Sequence, residues 1–153
     1  LRPNNFFQNM LFQTEPIQGH GAFYGPFGDA GISSIDVVDI AAVAATVLME
    51  PGHMGTTLDL TGPAAISNGE MAAELTAALG KEVSYVNVSL DDAKASMLDM
   101  GMPEYFAADL TTLYGLLAEG SAERVTRIVE EVTGRPARRF ADFARDNASA
   151  FSG

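Results

Sequence analysis

The chain alternates short extended stretches with longer helical ones, and the extended stretches are too few and too short to make a self-sufficient sheet. Ile32-Ser33-Ser34-Ile35-Asp36-Val37 alternates apolar and polar residues as a strand does, Thr57-Leu58-Asp59-Leu60 and Val83-Ser84-Tyr85-Val86-Asn87-Val88 read as two more, and Ala22-Phe23-Tyr24 as a brief extended piece. Strands separated by helices belong to α/β units with parallel pairing. Parallel sheets are covered by helices on both faces. Three or four short strands therefore predict an α/β unit that is part of a larger sheet, carrying a helical cap.

The helices announce themselves by their ends. Ser67-Asn68-Gly69-Glu70 has capping-box spacing, is followed by Met71, Leu75, Ala78 and Leu79 on one face, and stops at Gly80. Ser89 opens a helix whose Asp91 and Asp92 lie at the positive end of its dipole. Asp39 can cap the apolar run from Ile40 to Met49, which is apolar all round and is expected to be buried, with Pro51-Gly52 ending it. Pro103 suits a first helical position ahead of Phe106, Leu110, Leu113, Tyr114 and Leu117. Ser121 can cap a helix carrying Val125, Ile128, Val129 and Val132 and closing at Gly134, and a last helix carries Phe140, Phe143, Ala144, Ala148 and Phe151. At the other end Asn4 or Asn5 can cap a short helix through Leu11, while five glycines and two prolines between Thr14 and Gly31 predict a loop or lid.

No repeat, low-complexity tract or linker divides residues 1–153, so a single unit is expected. The absence of cysteine excludes disulfides, thiolate nucleophiles and Cys-ligated metals. A formal net charge of -11 disfavours nucleic acid and anionic lipid as partners. No apolar run approaches the roughly 20 residues that cross a bilayer, and the opening residues are not a signal peptide, which makes a soluble cytoplasmic protein the expectation.

The chain carries few signs of chemistry of its own. Holding a dinucleotide requires a Gly-rich turn between a strand and a helix, and Gly19-His20-Gly21 has neither the third glycine nor the helix that such a turn needs. The four tyrosines, Tyr24, Tyr85, Tyr105 and Tyr114, are followed four residues on by Gly28, Ser89, Asp109 and Ala118, so the Tyr-Lys proton-donor pair of many short-chain dehydrogenases is absent. His20 and His53 are isolated, no metal site is expected, and no catalytic residue is assigned. Asp91-Asp92 and Glu130-Glu131 read as solvated faces. Arg135, Arg138 and Arg139 form the basic cluster, a surface patch more than an anion site. Met97, Met100 and Met102 beside Pro103, Tyr105 and Phe106 offer adaptable apolar surface, either core or the wall of a pocket for a flat ligand.

Several segments resemble one family in its own order. Leu1-Arg2-Pro3-Asn4-Asn5-Phe6-Phe7-Gln8-Asn9, Ile35-Asp36-Val37-Val38-Asp39-Ile40-Ala41, Leu60-Thr61-Gly62-Pro63 with Ser67, and Thr133-Gly134-Arg135-Pro136 with Phe140, Asp142-Phe143-Ala144 and Phe151 are similar to elements of the NmrA-like proteins, atypical short-chain dehydrogenases that bind NAD(P). The resemblance implies the C-terminal part of a Rossmann-type NAD(P)-binding fold, with a small parallel strand pair and a helical substrate-side lobe, the dinucleotide-binding N-terminal half being absent from this chain. It implies that Pro3, Asn4, Asn5 and Phe6 lie near the nicotinamide, and that Phe23, Tyr24 and Phe27 of the glycine-rich segment, with Met102, Tyr105 and Phe106, face the substrate. Thr57–Leu60 would then edge the large sheet, and 32–37 would pair with 83–88. Asp39 is either an orienting group near the cleft or a buried helix cap. The implied activity is NAD(P)H-dependent reduction of quinone-like or carbonyl-type small molecules by the full protein, with no tight cofactor binding or turnover by this chain alone. A non-catalytic dinucleotide or redox sensor and a stand-alone oligomeric binding module are the other readings, and self-association into a homo-oligomer is expected wherever the open sheet edge is uncovered.

Overall fold

The computed structural model describes residues 1–152. It contains two separate parallel strand pairs, each buttressed by helices. β1 (Arg2–Pro3) pairs with β3 (Asp59–Leu60), in register Arg2 to Asp59 and Pro3 to Leu60. β2 (Ala22–Gly25) pairs with β4 (Ser84–Asn87), in register from Ala22 with Ser84 to Gly25 with Asn87. The crossover between β1 and β3 includes α2 (Val37–Met49), and that between β2 and β4 includes α3 (Asn68–Leu79). The α/β expectation holds. The pairing differs in one respect: 83–88 pairs with the Ala22 segment, and Ile32 and Ile35 make only isolated bridges, to Ile66 and Phe6. The strand-like alternation stops at Asp36 because its carboxylate accepts from Val38 N at 3.1 Å and starts α2.

Caps explain which helices formed as expected. Ser67 and Glu70 close a reciprocal capping box on α3, and Gly80 ends it at φ 63°. Ser89 accepts from Asp92 N and starts α4 (Leu90–Asp99), and α5 (Glu104–Ala118) follows Pro103, which stands just ahead of the helix rather than inside it. The loop expected from Thr14 to Gly31 begins instead with α1 (Thr14–His20). Pro16 falls in its first turn, where a missing N–H costs nothing, and Ile17 is fully buried. The N-terminal helix is a 3-10 helix over Phe7–Gln13 with no side-chain cap, since the amides of Asn4 and Asn5 bind Ser33 and Ser34 instead.

Residues 121–127 form no helix, and α6 spans only Ile128–Thr133. This segment lies along β3: Thr126 Oγ1 donates to the Asp59 carbonyl at 2.7 Å and Thr126 N to Thr61 Oγ1 at 2.9 Å, contacts a helix capped at Ser121 would forfeit. The last helix is divided at Asn147 into α7 (Phe140–Asp146) and α8 (Ala148–Ser152).

The largest core cluster joins Phe7, Ile17, Phe23, Leu75, Phe140, Phe143 and Phe151, with Phe7 edge-on to Phe140 at 5.2 Å. Ile35, Val43, Leu60 and Val129 form a second cluster under α2 and α6. The helix expected to be buried all round is not: α2 buries only Asp39 and Val43, and Leu48 and Met49 are 85% and 83% exposed. No helix of the described residues is long and apolar enough to cross a membrane.

Candidate functional site

β1 and β3 run parallel in register, so their carboxyl ends emerge side by side at Asn4 and Thr61, the place where open α/β sheets receive ligands. A groove of about 180 Å³ lies there, lined by Arg2, Pro3, Asn4, Leu60, Thr61 and Ala122 among others. Asn4 holds the groove's walls together. Its Nδ2 donates to Ser33 Oγ at 2.7 Å and to the Ala122 carbonyl at 3.1 Å, and its Oδ1 accepts from Asn5 N at 2.8 Å. Ser33 Oγ lies 3.0 and 2.7 Å from the carbonyl oxygens of Ala122 and Arg124. Asn5 Nδ2 donates to Ser34 Oγ at 3.0 Å, and Gln8 donates to Asp36 at 2.8 Å. Residues 4–8 are thus laced side chain by side chain to 33–36. Gly62 completes the lacing, because its N–H donates to the Ser33 carbonyl and an added Cβ would stand 2.1 Å from the Ser34 carbonyl oxygen.

Of the residues implicated at the nicotinamide, Pro3 and Asn4 line this groove, Asn5 braces it from behind, and Phe6 lies at the surface. Those implicated at the substrate divide. Phe27 packs edge-on against Tyr114 with ring centroids 5.0 Å apart, in a cluster with Ile32, Leu117 and Ala122. Ala122 therefore joins the Phe27 wall to the Pro3–Asn4 groove. Phe23 is 2% exposed and stacks at 5.5 Å on Tyr85, so it supports the β2–β4 pair from inside. Tyr24 is exposed on the other face of β2, and Tyr105 and Phe106 project from the first turn of α5, after half-buried Met102. The loop bearing Phe27 is fixed from β4: Tyr85 Oη donates to the Gly25 carbonyl at 2.7 Å and accepts from Phe27 N at 3.0 Å, while Asn87 Oδ1 accepts from Gly28 N at 2.8 Å.

Ser33, Ser34, Thr61, Gly62, Ala122 and Tyr114 were not singled out by the sequence as parts of a site. The serines read as the polar face of a strand and Tyr114 as one member of an apolar stripe; only the Leu-Thr-Gly-Pro motif pointed here.

Within the basic cluster Arg135 and Arg139 are exposed, as a surface patch would be, while Arg138 turns toward buried carboxylates. Asp36 and Asp39 are both fully buried, and Arg138 Nε reaches Asp36 at 3.3 Å. Asp39 Oδ2 accepts from Arg138 N at 2.6 Å, and its Oδ1 has no hydrogen bond but lies 3.4 Å from the Arg135 guanidinium. A hydrogen bond to Asp146 chiefly, aided by the charge of Asp36 and opposed by partial burial, holds the Arg138 guanidinium above its usual range. Asp39 is a first-turn residue of α2 that ties down the segment before α7, and the cap is Asp36. Among the described residues no group of three or more His, Asp or Glu is placed to hold a metal ion.

No family model matches the chain. It is 45% identical to an NAD(P)H azoreductase of Xenophilus azovorans over 99% of its own length and 53% of that protein's. It is 33% identical to quinone oxidoreductase 2 of Escherichia coli, over 89% of this chain and 48% of that one. An NADPH-dependent quinone oxidoreductase of Escherichia coli, solved in complex with NADPH, superposes with a TM-score of 0.85 at 31% identity, over 95% of this chain and 51% of that chain. The fold is that of about half of an NAD(P)-binding reductase. The chain spans about half the length of the curated relatives it matches.

The residues at the ends of β1 and β3 do not fit a phosphate cradle. A cradle needs free backbone amides at a helix start, and the amides that follow β1 and β3 are already used: Asn4 N by the Leu60 carbonyl, Asn5 N by Asn4 Oδ1, Phe7 N by the Ile35 carbonyl and Gly62 N by the Ser33 carbonyl.

Proposed function

We propose that this chain is the C-terminal, substrate-side half of an NmrA-like oxidoreductase that reduces quinones or other conjugated carbonyl-type small molecules with NAD(P)H. The dinucleotide is held by a separate N-terminal half. The observation that carries this reading is the 45% identity to an NAD(P)H azoreductase, which runs through 99% of the chain. In this reading Pro3, Asn4, Asn5 and Phe6 border the nicotinamide, with both asparagines acting as braces because their amide donors are spent on Ser33, Ser34 and Ala122. Phe27, Tyr24, Met102, Tyr105 and Phe106 border the acceptor, and Phe23 supports them from the core. The cofactor supplies a hydride, and the reduced acceptor gains its balancing proton from water. Residues 1–153 by themselves orient neither partner strongly enough for turnover, since proximity is lost without a cradle. The same reading places the protein in the cytoplasm and makes its partner a small molecule.

The test compares this chain with the same chain joined to an NAD(P)-binding N-terminal half. Calorimetry is expected to show no stoichiometric NADPH binding by the chain alone, and the joined protein is expected to oxidise NADPH steadily with a quinone panel. Tight dinucleotide capture or turnover by the chain alone would overturn the reading. Binding without turnover by the joined protein would replace it with a dinucleotide sensor.

A further inference from the structure

We infer that the groove beside Asn4 takes an acid group of the acceptor, a carboxylate, sulfonate or phosphate, between Arg2 and Arg124, an inference that rests on the reductase reading above. Arg2 stands opposite Asp59 in the parallel register, so the two side chains leave the same face of the β1–β3 pair. Arg124 reaches that face from the 121–127 segment, which Thr126 fixes along β3, and its Nη1 lies 3.4 Å from Asp59 Oδ2. Both arginines and Asp59 line the groove of about 180 Å³, and the rest of its lining is uncharged. Two guanidinium groups therefore face a single carboxylate, which makes the groove locally positive in a chain whose formal net charge is -11.

That excess sets the groove apart from the rest of the molecule. Lys94, Arg127, Arg135, Arg138 and Arg145 each lie within ion-pair reach of an acid elsewhere, whereas Arg2 forms no ion pair among the described residues. The Arg124–Asp59 pair does not close the gap. Its side chains are 77% and 43% exposed, and an exposed pair of this length contributes little, so Arg124 is free to turn toward a second oxyanion. Asn4, Thr61 and Thr126 spend their polar atoms inside the protein and the backbone amides are spent as well, which leaves the two planar guanidinium forks to decide what the groove recognises. An acid group held there tethers the ring that carries it beside Pro3 and Asn4, the residues assigned to the nicotinamide border. The overall negative charge repels such an acceptor, so a local positive site is what lets it settle.

The test titrates the joined protein, without NADPH, with anthraquinone-2-sulfonate and with the uncharged anthraquinone-2-sulfonamide by calorimetry. The sulfonate is expected to bind about tenfold tighter, with the advantage shrinking as salt is raised. Arg2→Gln and Arg124→Gln are each expected to remove most of that advantage, and Asp59→Asn, which takes away the competing carboxylate, to enlarge it. Arg127→Gln, whose guanidinium pairs with Glu130 on α6, is expected to keep the parent's advantage. No sulfonate binding, equal affinities for the two quinones, or an advantage that survives both arginine variants would overturn the inference. So would a loss confined to NADPH affinity in the arginine variants, which would give the groove to a phosphate of the cofactor. An arginine-dependent sulfonate advantage in a joined protein that oxidises no NADPH would instead overturn the reductase reading and leave the anion subsite standing.

Discussion

Two kinds of residue hold the candidate site, those that fill and those that must not. Gly62 is of the second kind. Its backbone lies so near the Ser34 carbonyl oxygen that an added Cβ would stand 2.1 Å away, and that atom is backbone and cannot swing aside. Gly62→Ala must therefore part the 60–62 and 33–35 segments and with them the Asn4–Ser33 and Asn5–Ser34 hydrogen bonds. We expect a loss of about 3 kcal/mol in urea unfolding, the upper end for forced overpacking; a variant as stable as the parent would show that the segments separate freely. Asp36 and Asp39 are of the first kind. Burying two carboxylates is tolerable because Gln8, Val38 N and Arg138 surround Asp36, while Arg138 N and the Arg135 guanidinium meet Asp39. Arg138, eye-catching in sequence as part of a basic cluster, is thereby turned inward, while Arg135 stays half-exposed beside Asp39. Sequence spacing gave no hint of that, because the partners are about 100 positions apart.

At the scale of elements, what was legible was what is local. Ser67, Glu70 and Gly80 define α3 by contacts within a few residues, so a linear reading suffices. The same reading failed at 121–127 and at 32–37, where hydrogen bonds to distant chain, Thr126 to Asp59 and Asn4 and Asn5 to Ser33 and Ser34, outweighed local propensity. The Asp39 cap failed for a subtler reason, a competing Asp three residues earlier. The candidate site follows the same division: Pro3 and Asn4 were recognisable through their motif, while Ala122 reaches it only by folding. The capping box itself can be tested by pH. Its hydrogen bonds, from Ser67 N foremost and then Ser67 Oγ, hold the Glu70 carboxyl below its ordinary value of 4.5. A depressed carboxyl contributes stability that is present above that ordinary value and is lost as pH falls through the folded value. Ser67→Ala is expected to cost about 1 kcal/mol near neutrality. Glu70→Gln is expected to flatten the fall in stability as pH drops below the ordinary carboxyl value of 4.5, measured by urea unfolding at each pH; a variant with the parent's slope would show that the box does not titrate.

The whole molecule is unevenly finished. Its aromatic core under α3, α7 and α8 is closed, whereas α2 turns Val38, Ala41, Ala45 and Leu48 outward along one face, and Met49 at its end is exposed too. β1, elsewhere in the chain, has a strand on one edge only. An amphipathic crossover helix with its apolar side toward water and a half-paired parallel strand are two signs of the same missing cover. In the reductase reading the cover is the dinucleotide-binding half. For residues 1–153 alone it has to be another copy, because exposed Leu and Met side chains of this number favour association. Sedimentation of the chain alone is therefore expected to show a dimer or larger species, and Leu48→Lys with Met49→Lys to dissociate it without loss of helix content, since both side chains are more than four-fifths exposed and support no core. In the joined protein the wild-type face is covered, so that protein is expected to sediment as a smaller assembly per chain than residues 1–153 do. A monodisperse wild-type monomer of the isolated chain at working concentration would mean that α2 and the β1 edge are stable in water, and the argument for a missing cover would fall with it.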